Sequence, residues 1–230
     1  GFEMTFFEKI GQVLTTDLTI EFKNKKNNQQ QESTFLQLQK KRRSIYALGS
    51  KVALSQSEIE QLIQETVAQT PSAFHSQSAR IVMLFANAHL KFWDIVREEL
   101  RKLIPSDVFE GTNVKIDGFA AGYGTVLFYE DLSVIKGLQK QYPLYADNFP
   151  IWSEQSAGMV QYAVWMALAE HNIGGSLQHY NPLIDQRLHQ VFDVPDNWFL
   201  RAQLVFGSQN KQAPEKHFIE DEVRFKTYTE

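Results

Sequence analysis

Apolar residues follow two different spacings along the chain, one typical of helices and one typical of strands. The stretch SQSEIEQLIQETVAQ (55–69) carries apolar residues at helical spacing and opens with an S-x-x-E capping box formed by Ser55 and Glu58. It predicts a helix that Pro71 ends. Two more helices are predicted over STFLQLQKKR, with Ser33 as N-cap, and over NAHLKFWDIVREELRKLI (87–104).

Short runs of β-branched and aromatic residues predict strands. They are RIVMLF (80–85), GTVLFYE (124–130) and WFLRAQLVFG (198–207). The stretch EQSAGMVQYAVWMALAEHNIGG (154–175) is apolar almost all round, so it predicts a helix buried on most sides, with Gly174 as its C′ glycine. Together these elements predict an α+β fold, with several helices around an antiparallel or mixed sheet.

The first 33 residues stand apart from this pattern. Residues 1–3 resemble a tag remnant, MTFFEKIGQVL (4–14) can form a short amphipathic helix, and KNKKNNQQQES (23–33) is a polar stretch typical of a linker. We therefore expect an N-terminal extension over 1–33 and a single domain over 34–230. The charged tail 211–230 has too few apolar residues to form a core of its own.

Composition narrows the classes of function. The 230 residues are 43% hydrophobic with a net charge of -4, which favours one domain with a large core and argues against a general nucleic-acid binder. No apolar run is long enough to span a bilayer, and the 6 histidines show no metal-ligand spacing. With 0 cysteines the chain suits a reducing compartment, so we expect a soluble, cytoplasmic protein without a metal site.

The segment LQLQKKRRSIYALGS (36–50) concentrates four cations at Lys40 to Arg43, directly before Ser44. By spacing alone, these cations complete a helix, where positive charge favours the negative end of the helix dipole. The Arg-Arg-Ser sequence favours a second interpretation, because two guanidinium groups and a hydroxyl suit a dianionic phosphate monoester.

Two further stretches carry candidate binding groups. In TPSAFHSQSARIVMLF, Ser72, His75 and Gln77 either form an ordinary surface loop or surround an aromatic heterocycle beside Phe74. In NIGGSLQHYNPLID, the chain after Gly175 either follows a helix cap or turns free backbone N–H groups toward a ligand. The chain has no Rossmann fingerprint, P-loop or nucleophile elbow.

Taken together, KKRRSIYALG, PSAFHSQSARIVML, GYGTVLFYEDLSVIKGLQ, NIGGSLQHYNPLID and LRAQLVFG resemble the flavin-dependent nitroreductases, specifically their fatty-acid-repression-mutant-like subgroup. The resemblance implies the nitroreductase-like fold, with a mainly antiparallel sheet in an intertwined homodimer. It implies FMN at the subunit interface, NADH or NADPH as electron donor, and ping-pong reduction of nitroaromatic or quinone-type acceptors. The flavin carries the redox chemistry, so no catalytic side chain is expected.

The resemblance also assigns residues. Arg42, Arg43 and Ser44 match the phosphate- and ribityl-binding start of the family. Tyr46 stands where many relatives place a lysine or arginine near flavin N1 and O2. Because a phenol brings no positive charge, we expect the flavin to be harder to reduce here.

The remaining assignments fall later in the chain. Ser72, His75 and Gln77 match a loop that the partner subunit presents to the flavin, with His75 in place of the usual asparagine. The backbone of Gln178 and His179 matches the pair near flavin N5. Lys216 matches a late phosphate-binding cation. All of these are cofactor-binding assignments.

Two other functions remain open at this level. The first is a flavin-binding regulator of stress or lipid signalling whose reductase activity is incidental. The second is a cofactor-free interaction protein with a basic surface helix, in which the Arg42 and Arg43 side chains are simply solvated.

Overall fold

A five-stranded antiparallel sheet forms the centre of the computed structural model, in which residues 31–230 are described. The strands are β1 (Leu48–Gly49), β2 (Ala79–Phe85), β3 (Gly124–Asp131), β4 (Gly174–Gln178) and β5 (Trp198–Gln209). Their order is β1-β5-β3-β2. Strand β4 also pairs with β5, over residues 203–207, directly before the two residues of β5 that pair with β1. The helix predicted at 4–14 and most of the predicted linker lie outside the described residues. The chain divides into two units, Gly1–Gln37 and Leu38–Glu230, and the whole sheet lies in the second.

Helices cover both faces of the sheet. Those of the described residues are α1 (Thr34–Lys41), α2 (Gln56–Gln69), α3 (Ala86–Leu103), α4 (Phe109–Ala120), α5 (Leu132–Gln141), α6 (Asn148–Glu170), α7 (Asp185–Val191) and α8 (Asp221–Arg224). Successive residues of β3 pack against helices on opposite faces of the sheet, because side chains on a strand alternate in direction. Leu127 and Tyr129 pack with α3, α4 and α7, whereas Val126 and Phe128 pack with α2 and α6.

The strongest sequence patterns are confirmed. In α2 the Ser55 hydroxyl accepts the Glu58 N–H, and the Glu58 carboxylate accepts the Ser55 N–H, which completes the predicted capping box. Ser33 caps α1 through the Leu36 N–H. Strands β2, β3 and β5 contain the three predicted runs and extend them by one or two residues.

The prediction for the apolar helix is wrong at its ends. Helix α6 begins at Asn148, and the chain leaves it after Glu170, where Asn172 takes the left-handed conformation with φ 60°. Gly174 is therefore not a C′ glycine; it opens β4. A Cβ at Gly174 would lie 2.8 Å from the Gln209 Cγ and 3.1 Å from the Ile45 Cβ, so glycine allows these neighbours to pack closely there.

Candidate functional site

The Arg-Arg-Ser stretch leaves α1 and continues as an extended segment beside β4. The Ile45 N–H donates to the Gly175 carbonyl at 2.9 Å, and Ser44 forms a parallel bridge with Gly175. A Cβ on Gly174 would lie 3.1 Å from the Ile45 Cβ, so the glycine permits this approach. The basic stretch therefore borders a sheet edge and does more than complete a helix.

Arg42 lies over helix α6. Its guanidinium carbon is 4.4 Å from the centroid of the Trp165 ring, within cation–π range. Burial is the main cause that lowers the pKa of Arg42; the Arg43 charge lowers it further, and Tyr162 opposes both. The Arg42 Nε is buried and has no hydrogen-bond partner among residues 31–230.

Arg43 connects this segment to the C-terminal tail. Its guanidinium donates to the Pro214 carbonyl. Two residues later, the exposed Lys216 lies over the ring of Phe218, at 5.6 Å. The Arg43 contact therefore holds the start of the tail, two residues before Lys216, against the basic segment.

Ser44 and Tyr46 open into a cavity of about 590 Å³. The cavity is bounded by Ser44–Ala47, by α4 and by the first residues of the tail, with Lys115 and Lys211 among its lining. The Tyr46 ring lies 6.4 Å from that of Phe119. The lining thus combines flat apolar surface with a hydroxyl, a phenol and two ammonium groups, a set suited to a heteroaromatic ring.

Gln178 is the last residue of β4, and His179 follows it. The Gln178 amide donates to the Ser176 hydroxyl at 2.8 Å, and His179 is exposed. Beyond them the buried Gln203 accepts the Tyr180 N–H at 2.8 Å, which fixes the path of the chain. Past the Ser44 bridge, β4 pairs only with β5 in the described sheet.

The loop that carries Ser72, His75 and Gln77 is strained. Phe74, His75 and Gln77 have φ of 57°, 51° and 50°, in the left-handed region that non-glycine residues avoid. Such residues cost about 1–3 kcal/mol each and persist only where their surroundings enforce them. Here the Ser72 hydroxyl accepts the Gln77 N–H at 3.0 Å and closes the loop on itself.

Two carboxylates hold this loop to the sheet. Arg80 donates to the Gln77 carbonyl at 2.7 Å and pairs with Asp131 at 3.0 Å. The Ser78 hydroxyl donates to Glu130 at 3.2 Å, inside the protein. The strained conformation is therefore enforced from both ends of the loop.

Glu130 is the buried centre of this attachment. One of its oxygens accepts hydrogen bonds from Ser78, Ser153 and Ser156, and its other oxygen is buried with no partner among the described residues. Burial is the main cause that raises the pKa of Glu130, and the Glu154 charge raises it further, against the three serine hydroxyls.

The structure does not bring the two groups of predicted residues together within one chain. The loop at Ser72–Ser78 leads into β2, on one edge of the sheet, and Ser44 borders β4 on the other. Three strand spacings of about 4.8 Å separate β2 from β4, roughly 14 Å. The two groups are also displaced along the strand direction. Ala79 of β2 lies opposite Glu130 of β3, which lies opposite Phe199 near the start of β5. Gly175 of β4 lies opposite Phe206, which is further along β5. The two groups occupy opposite corners of the sheet.

Within residues 31–230 there is no group of three or more histidine, aspartate or glutamate side chains placed to hold a metal. Over the same residues, no helix is long and apolar enough to cross a membrane.

Trp165 and Glu130 were missed by sequence reasoning. Trp165 is one apolar residue among many in a helix that is apolar all round, and nothing in its spacing marks it as a partner of Arg42. Glu130 lies at the end of a strand, where a carboxylate is normally solvated. Only the fold brings the serines around it.

Comparison with known proteins shows the family to which the chain belongs. The family model "Nitroreductase family" matches residues 40–208. HBN1 of Saccharomyces cerevisiae, which carries a nitroreductase name, is 34% identical over 193 residues, 83% of this chain and 96% of its own length. The chain belongs to the nitroreductase family, and it is an oxidoreductase of α+β fold.

Solved structures show the same similarity. Nitroreductase CinD from Lactococcus lactis in complex with nicotinic acid matches with a TM-score of 0.80 and 46% identity, over 85% of this chain and 100% of that one. A nitroreductase from Desulfovibrio desulfuricans in complex with FMN matches with a TM-score of 0.64 over 86% of this chain and 99% of that one. At 16% identity, the second match supports the fold alone.

Proposed function

We propose that the protein is an FMN-dependent NAD(P)H oxidoreductase that reduces nitroaromatic or quinone-type acceptors in ping-pong fashion, with each site built from two copies of the chain. The observation that carries the proposal is the position of the two residue groups at opposite corners of the sheet. One copy cannot close both around a single ligand. A symmetric dimer places the loop of one copy against the basic segment of the other, twice.

The donor set fits FMN. Arg42 offers a buried, unpartnered N–H, the Ser44 hydroxyl follows Arg43 directly in sequence, and Arg43 and Lys216 add positive charge. These groups suit a phosphate on a polar chain. The cavity beside Ser44 and Tyr46, of about 590 Å³, offers the flat apolar surface that a ring system needs.

When bound, FMN supplies the hydride chemistry between the nicotinamide donor and the acceptor. Arg42, Arg43 and Lys216 would hold its phosphate, and Ser44 and Tyr46 would orient the remainder. The backbone N–H groups of Gln178 and His179 would donate to the ring, and Ser72, His75 and Gln77 would be supplied by the partner subunit. No protein side chain acts as a nucleophile.

Aromatic acceptors are supported by a cluster of rings beside the Ser72–Ser78 loop. The Phe74 ring is 52% exposed and contacts Tyr142, Tyr145, Phe149 and Trp152, at centroid distances of 5.0 to 6.3 Å. Such a surface favours planar ligands. CinD, the 44–46% identical protein from Lactococcus lactis, is described in complexes with nicotinic acid, chloramphenicol and 4-nitrophenol.

Apolar surface on α6 and on the tail supports the homodimer. Ile151, Met159 and Tyr162 are exposed apolar residues on helix α6. On the tail, Phe218 is 70% exposed and Val223 is 76% exposed. Large apolar patches of this kind mark interaction surfaces. We propose that a second copy of the chain covers these side chains and that the tail wraps around that copy. We also propose a cytoplasmic location, because a chain without cysteine suits a reducing compartment.

The test is the visible absorption spectrum of the purified protein, followed by turnover. We expect flavin bands, release of FMN on acid treatment, and many NADH or NADPH molecules oxidised per flavin once a nitroaromatic or quinone is added. A single reduction per flavin without turnover would support a regulator in place of an enzyme. A colourless protein that takes up no added FMN would contradict the proposal.

A further inference from the structure

Helix α6 carries an unpaired donor next to Arg42. The Trp165 Nε1 is buried, and like the Arg42 Nε it has no hydrogen-bond partner among the described residues. Both groups can only donate, so only an acceptor can satisfy them. Because the guanidinium carbon lies 4.4 Å from the centroid of the Trp165 ring, the two donors belong to one stack.

The charge in this stack is also uncompensated. Within residues 31–230, no carboxylate lies within salt-bridge distance of Arg42; its neighbours in sequence, Lys41 and Arg43, are both cations. Burial is the main cause that lowers the pKa of Arg42. Arg42 is half-buried and its Nε is fully buried without a partner among the described residues, so an anion that accepts from this N–H would stabilise it.

The stack lies where the basic segment meets β4. A Cβ on Gly175 would lie 3.1 Å from the Trp165 Nε1, so the indole N–H is packed against the backbone of that residue. Gly175 is also the bridge partner of Ser44. The guanidinium, the indole N–H and the segment bearing the Ser44 hydroxyl therefore meet at one point of the sheet edge.

We propose that Trp165 positions the cofactor phosphate: it holds the Arg42 guanidinium in the stack, and its indole N–H is a second donor to the same phosphate. The proposal rests on the FMN cofactor proposed above. A phosphate monoester carries about −1.5 to −2 charge at neutral pH and three acceptor oxygens, so it matches one cation and two unpaired donors. Water would satisfy the donors and leave the charge uncompensated.

Comparison of FMN with riboflavin tests this assignment, because riboflavin has the same ring and ribityl chain without the phosphate. Dissociation constants of both ligands are measured by flavin fluorescence on flavin-free, full-length protein. The variants are Trp165→Leu, which removes the stack and the donor, and Trp165→Phe, which removes the donor alone. Trp198→Phe is the matched control, since Trp198 lies at the start of β5 and packs against Tyr129.

We expect the wild type to bind FMN more tightly than riboflavin. Trp165→Leu should reduce that preference about tenfold or more, the effect of losing charge-assisted contacts, and Trp165→Phe should reduce it by a smaller factor. Trp198→Phe should keep the full preference. Inorganic phosphate alone should raise the melting temperature of the flavin-free wild type and not that of Trp165→Leu.

An unchanged preference in a folded Trp165→Leu variant would overturn the proposal. If that variant does not fold, Trp165→Phe decides, and an unchanged preference there overturns it as well. A wild type that binds both flavins equally would also refute the phosphate role while leaving a flavin enzyme in place. A wild type that binds neither flavin would contradict the proposed function itself.

Discussion

The Ser78 hydroxyl donates a hydrogen bond to Glu130, 52 residues further along the chain, at 3.2 Å in the protein interior. This contact joins the strained Ser72–Ser78 loop to the centre of the sheet. Ser153 and Ser156 of α6 donate to the same carboxylate oxygen, at 3.0 and 3.4 Å. The loop, the sheet and the longest helix of the described residues therefore share one buried acceptor.

Titration of Glu130 should make the protein less stable as the pH rises. Its pKa is raised in the folded state, chiefly by burial, above the value of about 4.3 for an unfolded glutamate. The stabilising contribution of the neutral form is complete below about pH 4.3 and is lost as the pH passes through the raised pKa. Glu130→Gln, which cannot ionise, should gain stability relative to wild type between acidic and mildly alkaline pH.

Urea unfolding across that range measures the difference in the free energy of unfolding. Glu110→Gln is the control, because Glu110 is exposed on α4 and its replacement removes the same charge. A difference between Glu130→Gln and wild type that stays constant with pH would show that Glu130 does not titrate there.

His89 should have the opposite effect on the acidic side. Its Nε2 faces the Ala120 carbonyl at 3.0 Å, so this nitrogen carries the proton, and its Nδ1 accepts from the Thr125 hydroxyl at 2.9 Å. Burial lowers the pKa of His89, against the carbonyl contact. Stability should therefore be complete above about pH 6.5, the unfolded value, and fall as the pH drops toward the lowered pKa.

The measurement is the slope of unfolding free energy against pH below that value. In His89→Gln the slope should be shallower than in wild type, whatever the absolute loss of stability. His171→Gln, at an exposed position after α6, should keep the wild-type slope. An equally steep slope in His89→Gln would assign the acid sensitivity to other groups.

Replacement of Tyr46 by lysine should make the bound flavin easier to reduce. Tyr46 lines the cavity proposed for the ring and brings no positive charge. A cation there favours the reduced, anionic ring electrostatically. We expect Tyr46→Lys to raise the flavin midpoint potential, measured by potentiometric titration, while Tyr46→Phe, which removes only the hydroxyl, changes it much less. Equal potentials in Tyr46→Lys and Tyr46→Phe would contradict the assignment.

Removal of the tail should weaken both the dimer and flavin binding. Deletion of 211–230 removes Pro214, which accepts from Arg43, together with Lys216 and the exposed apolar side chains. The shorter deletion of 219–230 keeps Pro214 and Lys216 and serves as the control for flavin binding. Sedimentation and flavin content are the two measurements. A protein lacking 211–230 that stays dimeric and yellow would refute the role of the tail.

Local patterns predicted the elements well, and contacts distant in sequence account for what they missed. The Ser55–Glu58 capping box needs only four consecutive residues, and α2 begins as predicted. Gly174 was misassigned because the contacts that place it in β4 are with Gln209 and Ile45, which lie far away in the chain. The resemblance named the candidate site residues, but their separation on the sheet follows from strand order, which no local pattern contains.

Mixed dimers test the central claim, that each site takes one half from each subunit. One variant carries Arg42→Ala, the other carries His75→Ala and Gln77→Ala, and different affinity tags allow purification of the mixed dimer. Each variant alone should bind FMN weakly at both sites. If the halves come from different subunits, the mixed dimer has one intact site, and it should bind about one FMN tightly and recover about half of the activity. If both halves came from the same chain, the mixed dimer would bind none tightly, and that result would contradict the account.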